Sequence, residues 1–233
     1  MTEEFSYVRR NVEAVLAELD AIAARTGLPA PTLIPVTKSA SDEEVLALAA
    51  CGVGAIAENR VPNYRARRDL LAANGLHLDL HLIGSLQTNK VKYIAEDVAL
   101  IQSLDSLRLA EEIAKRGAAV GRRIPALIEI NIGREANKGG VLPEELDAFY
   151  ASLAPLSSLS VVGLMTMAPA LPTEEEYRPY FRQVREMFVA MRDAGKFDTD
   201  APILSMGMSD SYRVAAEEGA TAVRIGRRLF MKD

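Results

Sequence analysis

Tryptophan is absent from the 233-residue sequence, histidine occurs twice, and cysteine once, at Cys51. A lone thiol cannot form an internal disulfide, so a disulfide-stapled scaffold is excluded and a reducing, cytoplasmic setting is expected. Basic runs are also missing. The densest cluster, Arg65, Arg67 and Arg68, is followed at once by Asp69 and reads as a solvated helix face. With 27 basic against 32 acidic residues the net charge is −5, so nucleic acid is not an expected partner. The sequence opens MTEEFSYVRR, with acids ahead of any apolar run, and no signal peptide is expected. The uncharged stretch Ala151–Thr173 contains Pro155, Pro169, Pro172 and four serines, which reads as loop, strand and loop and not as a membrane span. No Gly-, Ser- or Pro-rich linker or low-complexity segment breaks the chain, and a single domain over residues 1–233 is expected.

What is present is ordinary for a folded domain: 49% hydrophobic and 25% charged residues. Phe5, Val8, Val12, Val15, Leu19 and Ile22 recur at helical spacing, which predicts an opening helix over 3–25 ended by Gly27 and Pro29. Strand-like runs follow at 32–38, 55–59, 80–84, 100–105, 125–132, 159–166, 203–206 and 222–226. Helical stretches lie between them, near 42–51, 60–73, 89–96, 107–119, 143–153, 174–194 and 210–218. Ser41 with Glu44, Thr173 with Glu174–Glu176, and Ser209 with Asp210 supply helix-entry signals. Strands alternating with helices demand a parallel sheet with right-handed crossovers. Eight such units predict a single TIM (β/α)8 barrel in the α/β class, with an extra N-terminal helix. An open doubly wound sheet usually carries a glycine-rich fingerprint after its first strand. Here the first strand runs into VTKSAS.

Strand side chains alternate between the barrel lumen and the helix layer. Val223 and Ile225 suit the helices, which turns Ala222, Arg224 and Gly226 inward. Ile128, Ile130 and Ile132 do likewise and turn Glu129 and Asn131 inward. Ile34, Val36 and Lys38 share one face, as do Ala55, Ala57 and Asn59. Lys38 therefore stands at the carboxyl end of strand one, where barrel active sites sit. Arg224 enters the same lumen from strand eight. A buried lysine near another cation loses proton affinity and becomes a better nucleophile for a carbonyl, as a Schiff base requires. The alternative is a lysine that snorkels to solvent at a strand end.

After strand seven, LSMGMSDSY places Ser205, Gly207 and Ser209 where backbone N–H groups can meet a phosphate, with Gly226 and Arg227 as a second wall. Ser209 can equally be a simple N-cap, and Asp210 would repel an anion unless it points away. His77, Asp79 and His81 alternate in LHLDLHL and read as loop and barrel residues more readily than as metal ligands. Glu58, Asp105 and Glu129 suit either acid/base roles or partners for buried cations. The methionines of LMTM and SMGM read as core packing, and Cys51 as a small buried side chain.

VTK (36–38), AEN (57–59), HLIGSLQTNK (81–90), IQSLDS (101–106), INIGREANKGG (130–140), GLMTM (163–167), LSMGMSDSY (204–212) and VRIG (223–226) occur in that order. Together they resemble the YggS/PROSC family of pyridoxal-phosphate homeostasis proteins, and the likeness runs from strand one to strand eight. The resemblance implies an alanine-racemase-like barrel without that enzyme's C-terminal β-domain. It implies pyridoxal 5′-phosphate (PLP) held as a Schiff base on Lys38. The phosphate would lie on Ser209, the backbone around Ser205 and Gly207, Gly226 and the Arg227 amide. Asn59 would lie beside the ring, with Arg224 facing the pyridine nitrogen. It also implies a non-catalytic role in intracellular vitamin B6 balance, with apo PLP-dependent enzymes as recipients. A monomer is expected, since no exposed apolar heptad or long edge element is evident. The alternative is a racemase-like enzyme, for which Tyr212 is a weak base candidate. The sequence departs from the family pattern at Ala57, Arg60, Pro62 and Arg227, which leaves the Arg227 contact open. Lys138, in NKGG, is a second amine at the same barrel face.

Overall fold

The computed structural model describes residues 5–232. Helix α1 (Ser6–Thr26) buries Val8, Val12, Val15, Leu19 and Ile22 along one stripe and ends at Gly27, whose φ is 72°. The expected start at residue 3 lies outside the described residues. Eight parallel strands follow: β1 (Thr32–Pro35), β2 (Ala55–Glu58), β3 (Asp79–Leu82), β4 (Leu100–Leu104), β5 (Ile124–Ile130), β6 (Leu159–Thr166), β7 (Ile203–Ser205) and β8 (Ala222–Ile225). Each is hydrogen-bonded to its sequence neighbour from β2 through to β8, and β8 pairs with β1. The ends of the ring meet at the β1–β2 seam through one bridge, Val36 opposite Ala57. The expected TIM barrel is therefore formed, and each strand run predicted from sequence contains or overlaps the observed strand.

The connecting helices are α2 (Asp42–Ala49), α3 (Val61–Ala73), α4 (Leu107–Ala119), α5 (Leu146–Ser152), α6 (Arg178–Asp193) and α7 (Tyr212–Glu217). Ser41 and Glu44 form a reciprocal capping box at α2, and Thr173 with Glu176 forms another ahead of α6. The helix expected over 89–96 is instead a 3-10 turn, Thr88–Tyr93. Its apolar anchors Val91 and Ile94 are three residues apart, which suits the tighter winding. The cap expected at Ser209 is also corrected, since α7 begins after Ser211.

Among the described residues beyond β8 the chain makes a 3-10 turn, Arg227–Leu229. Helix α1 packs against α2 and α7 and takes the outer position that an eighth barrel helix would fill. The Asn11 amide donates to the carbonyls of Leu229 and Met231. Two apolar layers result. The outer layer joins Ile56, Ile101, Ile128, Ile130, Val223 and Ile225 to the helices. The lumen holds Ile34, Val36, Ala55, Ala57 and Ala222 near one seam and Leu100, Leu127 and Met165 across from it. Full burial of each Val, Leu, Ile or Met side chain among them contributes roughly 1.5–3 kcal/mol. Among the described residues no helix is long and apolar enough to cross a membrane.

Candidate functional site: a cavity at the carboxyl ends of the strands

Inward-facing positions near the strand ends are polar where those below are apolar, and they form one connected chain. Arg224 on β8 is 2% exposed, so its charge must be met inside the barrel. Its Nη1 donates to Ser205 Oγ at 2.6 Å and its Nη2 to the Thr166 carbonyl at 2.8 Å. Ser205 Oγ donates onward to Gln102 Oε1 at 2.7 Å, and the Gln102 amide nitrogen lies 3.1 Å from His81 Nδ1. Burial holds the His81 ring down to about 4, with Asp79 opposing, so the ring is neutral at pH 7. Burial also lowers Arg224 to about 10, with Glu129 opposing, and the guanidinium stays charged. Burial pushes the Glu129 carboxyl up to about 7, with the charge of Asp105 adding to this and Arg224 opposing it.

Above this network lies a cavity of about 450 Å³, within the range of small-molecule sites. Val36 and Lys38 line it from β1 and its loop, Asn59 from the end of β2, and Ile83 with Gly84 from the loop after β3. Met167 follows β6, Met208, Ser209 and Asp210 follow β7, and Arg224, Gly226 and Arg227 close the wall at β8. A Cβ at Gly84 would stand 2.1 Å from the Asn59 carbonyl oxygen, so only glycine lets these two loops touch. Gly207 has φ 93° and would set a Cβ 2.5 Å from that of Ala215. It turns the chain after β7 so that Met208–Asp210 face the cavity, while its own carbonyl accepts from the Arg224 backbone at 3.0 Å.

Two loops bring unpaired donors to this space. The backbone N–H groups of Ser209, Asp210, Gly226 and Arg227 have no acceptor among the described residues, and the Ser209 hydroxyl has no hydrogen bond. Arg224 Nε is likewise the one nitrogen of its guanidinium without a protein acceptor. The site thus offers one primary amine, a cluster of convergent N–H groups and one buried cation. That donor set matches an aldehyde bearing an anionic group and a ring nitrogen.

Six of the eight residues singled out from sequence line the cavity: Lys38, Asn59, Ser209, Arg224, Gly226 and Arg227. Ser205 and Gly207 do not. Ser205 lies fully buried beneath Arg224, and Gly207 shapes the loop from behind. Of the two readings of Lys38, the one that reaches solvent holds: its loop has left the strand and the side chain is exposed. The Arg227 side chain turns to the Asp210 carboxylate, and both are largely exposed, so any contact it makes with a ligand falls to its backbone. Lys138 stands outside the cavity lining, paired with Glu135 at 2.5 Å. The Tyr212 hydroxyl is turned away to Glu18 on α1. Sequence reasoning treated Met167 and Met208 as packing and assigned Gln102 no role. A glutamine at an inward strand position was the available signal for the buried network.

Fold and cavity together define a ligand-binding (β/α)8 barrel with a lysine at its mouth. Residues 11–233 match the family model for the alanine racemase N-terminal domain. The chain belongs to the pyridoxal phosphate homeostasis protein family. It is 42% identical to the protein of that name from Aquifex aeolicus over 198 residues, which is 85% of each chain. It is 33% identical to the one from Helicobacter pylori over 227 residues, covering 95% and 97%. Among solved structures, PipY of Synechococcus elongatus with PLP bound superimposes with a TM-score of 0.81 at 29% identity, over 96% of this chain and all (100%) of that one. Alanine racemase from Corynebacterium glutamicum shares the fold at 16% identity and a TM-score of 0.70, and the match spans 61% of that chain.

Proposed function

We propose that this chain binds pyridoxal 5′-phosphate in the cavity and serves intracellular vitamin B6 homeostasis, holding the cofactor on Lys38 as a Schiff base without turnover. Lys38 would supply the amine that bonds the cofactor's aldehyde carbon. When bound, the cofactor supplies the aldehyde that Lys38 takes and a ring able to withdraw electrons. The N–H groups of Ser209, Asp210, Gly226 and Arg227 and the Ser209 hydroxyl would receive the phosphate, Asn59 would lie beside the ring, and Arg224 would face the pyridine nitrogen. A cationic partner there would disfavour protonation of that nitrogen and so weaken electron withdrawal by the ring. The PLP-bound relative supports the ligand, and the convergence of unpaired N–H groups opposite a lysine is the single observation that carries the reading to these residues.

A racemase-like activity is the alternative. It needs a second proton carrier across the cavity from Lys38, and the engagement of Tyr212 with Glu18 supports the non-catalytic reading. In that reading the protein is a cytoplasmic monomer that passes PLP to apo-enzymes. The test is borohydride reduction of the PLP-loaded protein followed by peptide mapping. A pyridoxyl group on Lys38, with no racemised or cleaved amino acid released on incubation, is the expected result. A protein that stays unlabelled, or one that turns over free amino acids, overturns it.

A further inference from the structure

The β1–β2 seam beside the cavity has a single backbone bridge, yet Lys38 sits directly above it. Thr37 N donates to the Ala57 carbonyl at 3.0 Å, and no ladder continues past that point. Side chains take over. The Thr37 hydroxyl, fully buried, donates across the seam to Glu58 Oε1 at 2.6 Å. Glu58 follows the inward-facing Ala57 and so points outward, into the layer between β2 and α3, where it is also fully buried. Arg67, in the second turn of α3, reaches back over it. Its Nε lies 3.3 Å from Glu58 Oε1, and its Nη2 donates to the Thr37 carbonyl at 3.3 Å and to the Ala40 carbonyl. Its Nη1 holds the Asp42 carboxylate at the start of α2. One guanidinium therefore grips the chain on both sides of Lys38. Glu58 Oε2 has no partner at all.

We propose that Thr37, Glu58 and Arg67 are positioning residues for Lys38: they fix the backbone of residues 37–40, and so the origin and direction of the lysine side chain, without touching the cavity. This rests on the reading that Lys38 takes the cofactor's aldehyde. A buried carboxylate and guanidinium are costly beside the apolar pair that packing alone would favour, so their presence calls for a role in specifying one conformation. Lys38 itself is exposed and carries a long, freely rotating side chain. Only its backbone can be held, and addition to an aldehyde requires a near-attack geometry in which a displacement of about 1 Å matters on the order of 100-fold.

The test uses the full chain and the variants Arg67→Met, Glu58→Gln, Thr37→Val and Thr37→Ser. Amide hydrogen exchange of residues 37–40 is measured without cofactor. The rate of pyridoxyl-Lys38 formation is then followed by absorbance after PLP is added and by borohydride trapping. Arg67→Met, Glu58→Gln and Thr37→Val are expected to speed exchange at this segment and slow Schiff-base formation roughly 10-fold or more. Thr37→Ser, which keeps the hydroxyl, is expected to restore both. Thr37→Val is nearly isosteric and keeps the test open if an Arg67 variant fails to fold. Wild-type rates and wild-type exchange in folded variants overturn the inference and leave the cofactor reading intact. An unlabelled Lys38 in the wild type overturns the cofactor reading, and unchanged exchange in the variants then overturns the clamp as well.

Discussion

Arg224 Nη1 donates a hydrogen bond to Ser205 Oγ at 2.6 Å inside the barrel, and the serine hydroxyl donates its own to Gln102 Oε1. The guanidinium is thus oriented from below before any ligand meets it from above. Ser205→Ala removes the link and leaves Arg224 Nη1 and Gln102 Oε1 buried without partners. The expected cost is about 1–3 kcal/mol in urea unfolding. The absorbance band of the PLP-loaded protein is expected to shift as Arg224 gains freedom. An unchanged unfolding midpoint would contradict the importance given to this network.

Glu129 and His81 set opposing pH dependences. The folded chain keeps a proton on Glu129 up to about 7, whereas the unfolded carboxyl loses it near 4.5. Stability therefore falls as pH rises through that window. For His81 the folded ring stays neutral down to about 4 while the unfolded ring protonates near 6.5, so stability rises with pH there. The two slopes offset each other in the wild type. Glu129→Gln removes the falling limb, and its stability relative to wild type is expected to grow by on the order of 2 kcal/mol between about pH 4.5 and 7. Urea midpoints across the window measure this, and a constant offset between the two proteins would rule it out.

Gly207→Ala strains the turn after β7, where φ is 93° and the new methyl meets Ala215. A loss of roughly 1–3 kcal/mol is expected. Affinity for inorganic phosphate, read by competition with PLP, is expected to fall more than affinity for non-phosphorylated pyridoxal. Equal losses for both ligands would place the phosphate elsewhere.

Tyr212→Phe removes a hydroxyl whose partner is Glu18 on α1. Pyridoxyl labelling of Lys38 is expected to be unaffected, with a stability cost of about 1 kcal/mol. A change in the spectrum of the loaded protein would bring the tyrosine back as a participant in the site.

Much of this was legible in the sequence because a barrel strand reports its own facing. Val223 and Ile225 named the helix side, and Arg224 then had to enter the lumen. Alternation carries no information once a strand ends. Lys38 could be read as buried or as reaching solvent on the same rule, and because β1 stops at Pro35 the lysine stands exposed on the loop beyond. Ser209 stands two residues ahead of Ser211, where α7 is entered, and a helix boundary is not fixed that finely by local sequence. Ser205 fell in a recognisable block, yet its partner Gln102 is 103 positions away in sequence. Arg67 was read as part of a solvated helix face because its neighbours Arg65 and Arg68 are charged, and the acceptors that bury it come from a different loop.

The outer position filled by α1 has a consequence for how the protein is made. Helix α1 rests on α7 and on the turn after β8, far along the chain from it. Asn11 bonds the Leu229 carbonyl across 218 positions, and Glu18 pairs with Arg213 and Arg228. Until those residues arrive, the stripe from Val8 to Ile22 has α2 against it but lacks its cover from α7. Burial of the α1 stripe therefore waits on contacts of very long sequence separation, and until they form that face stays partly open on the nascent chain.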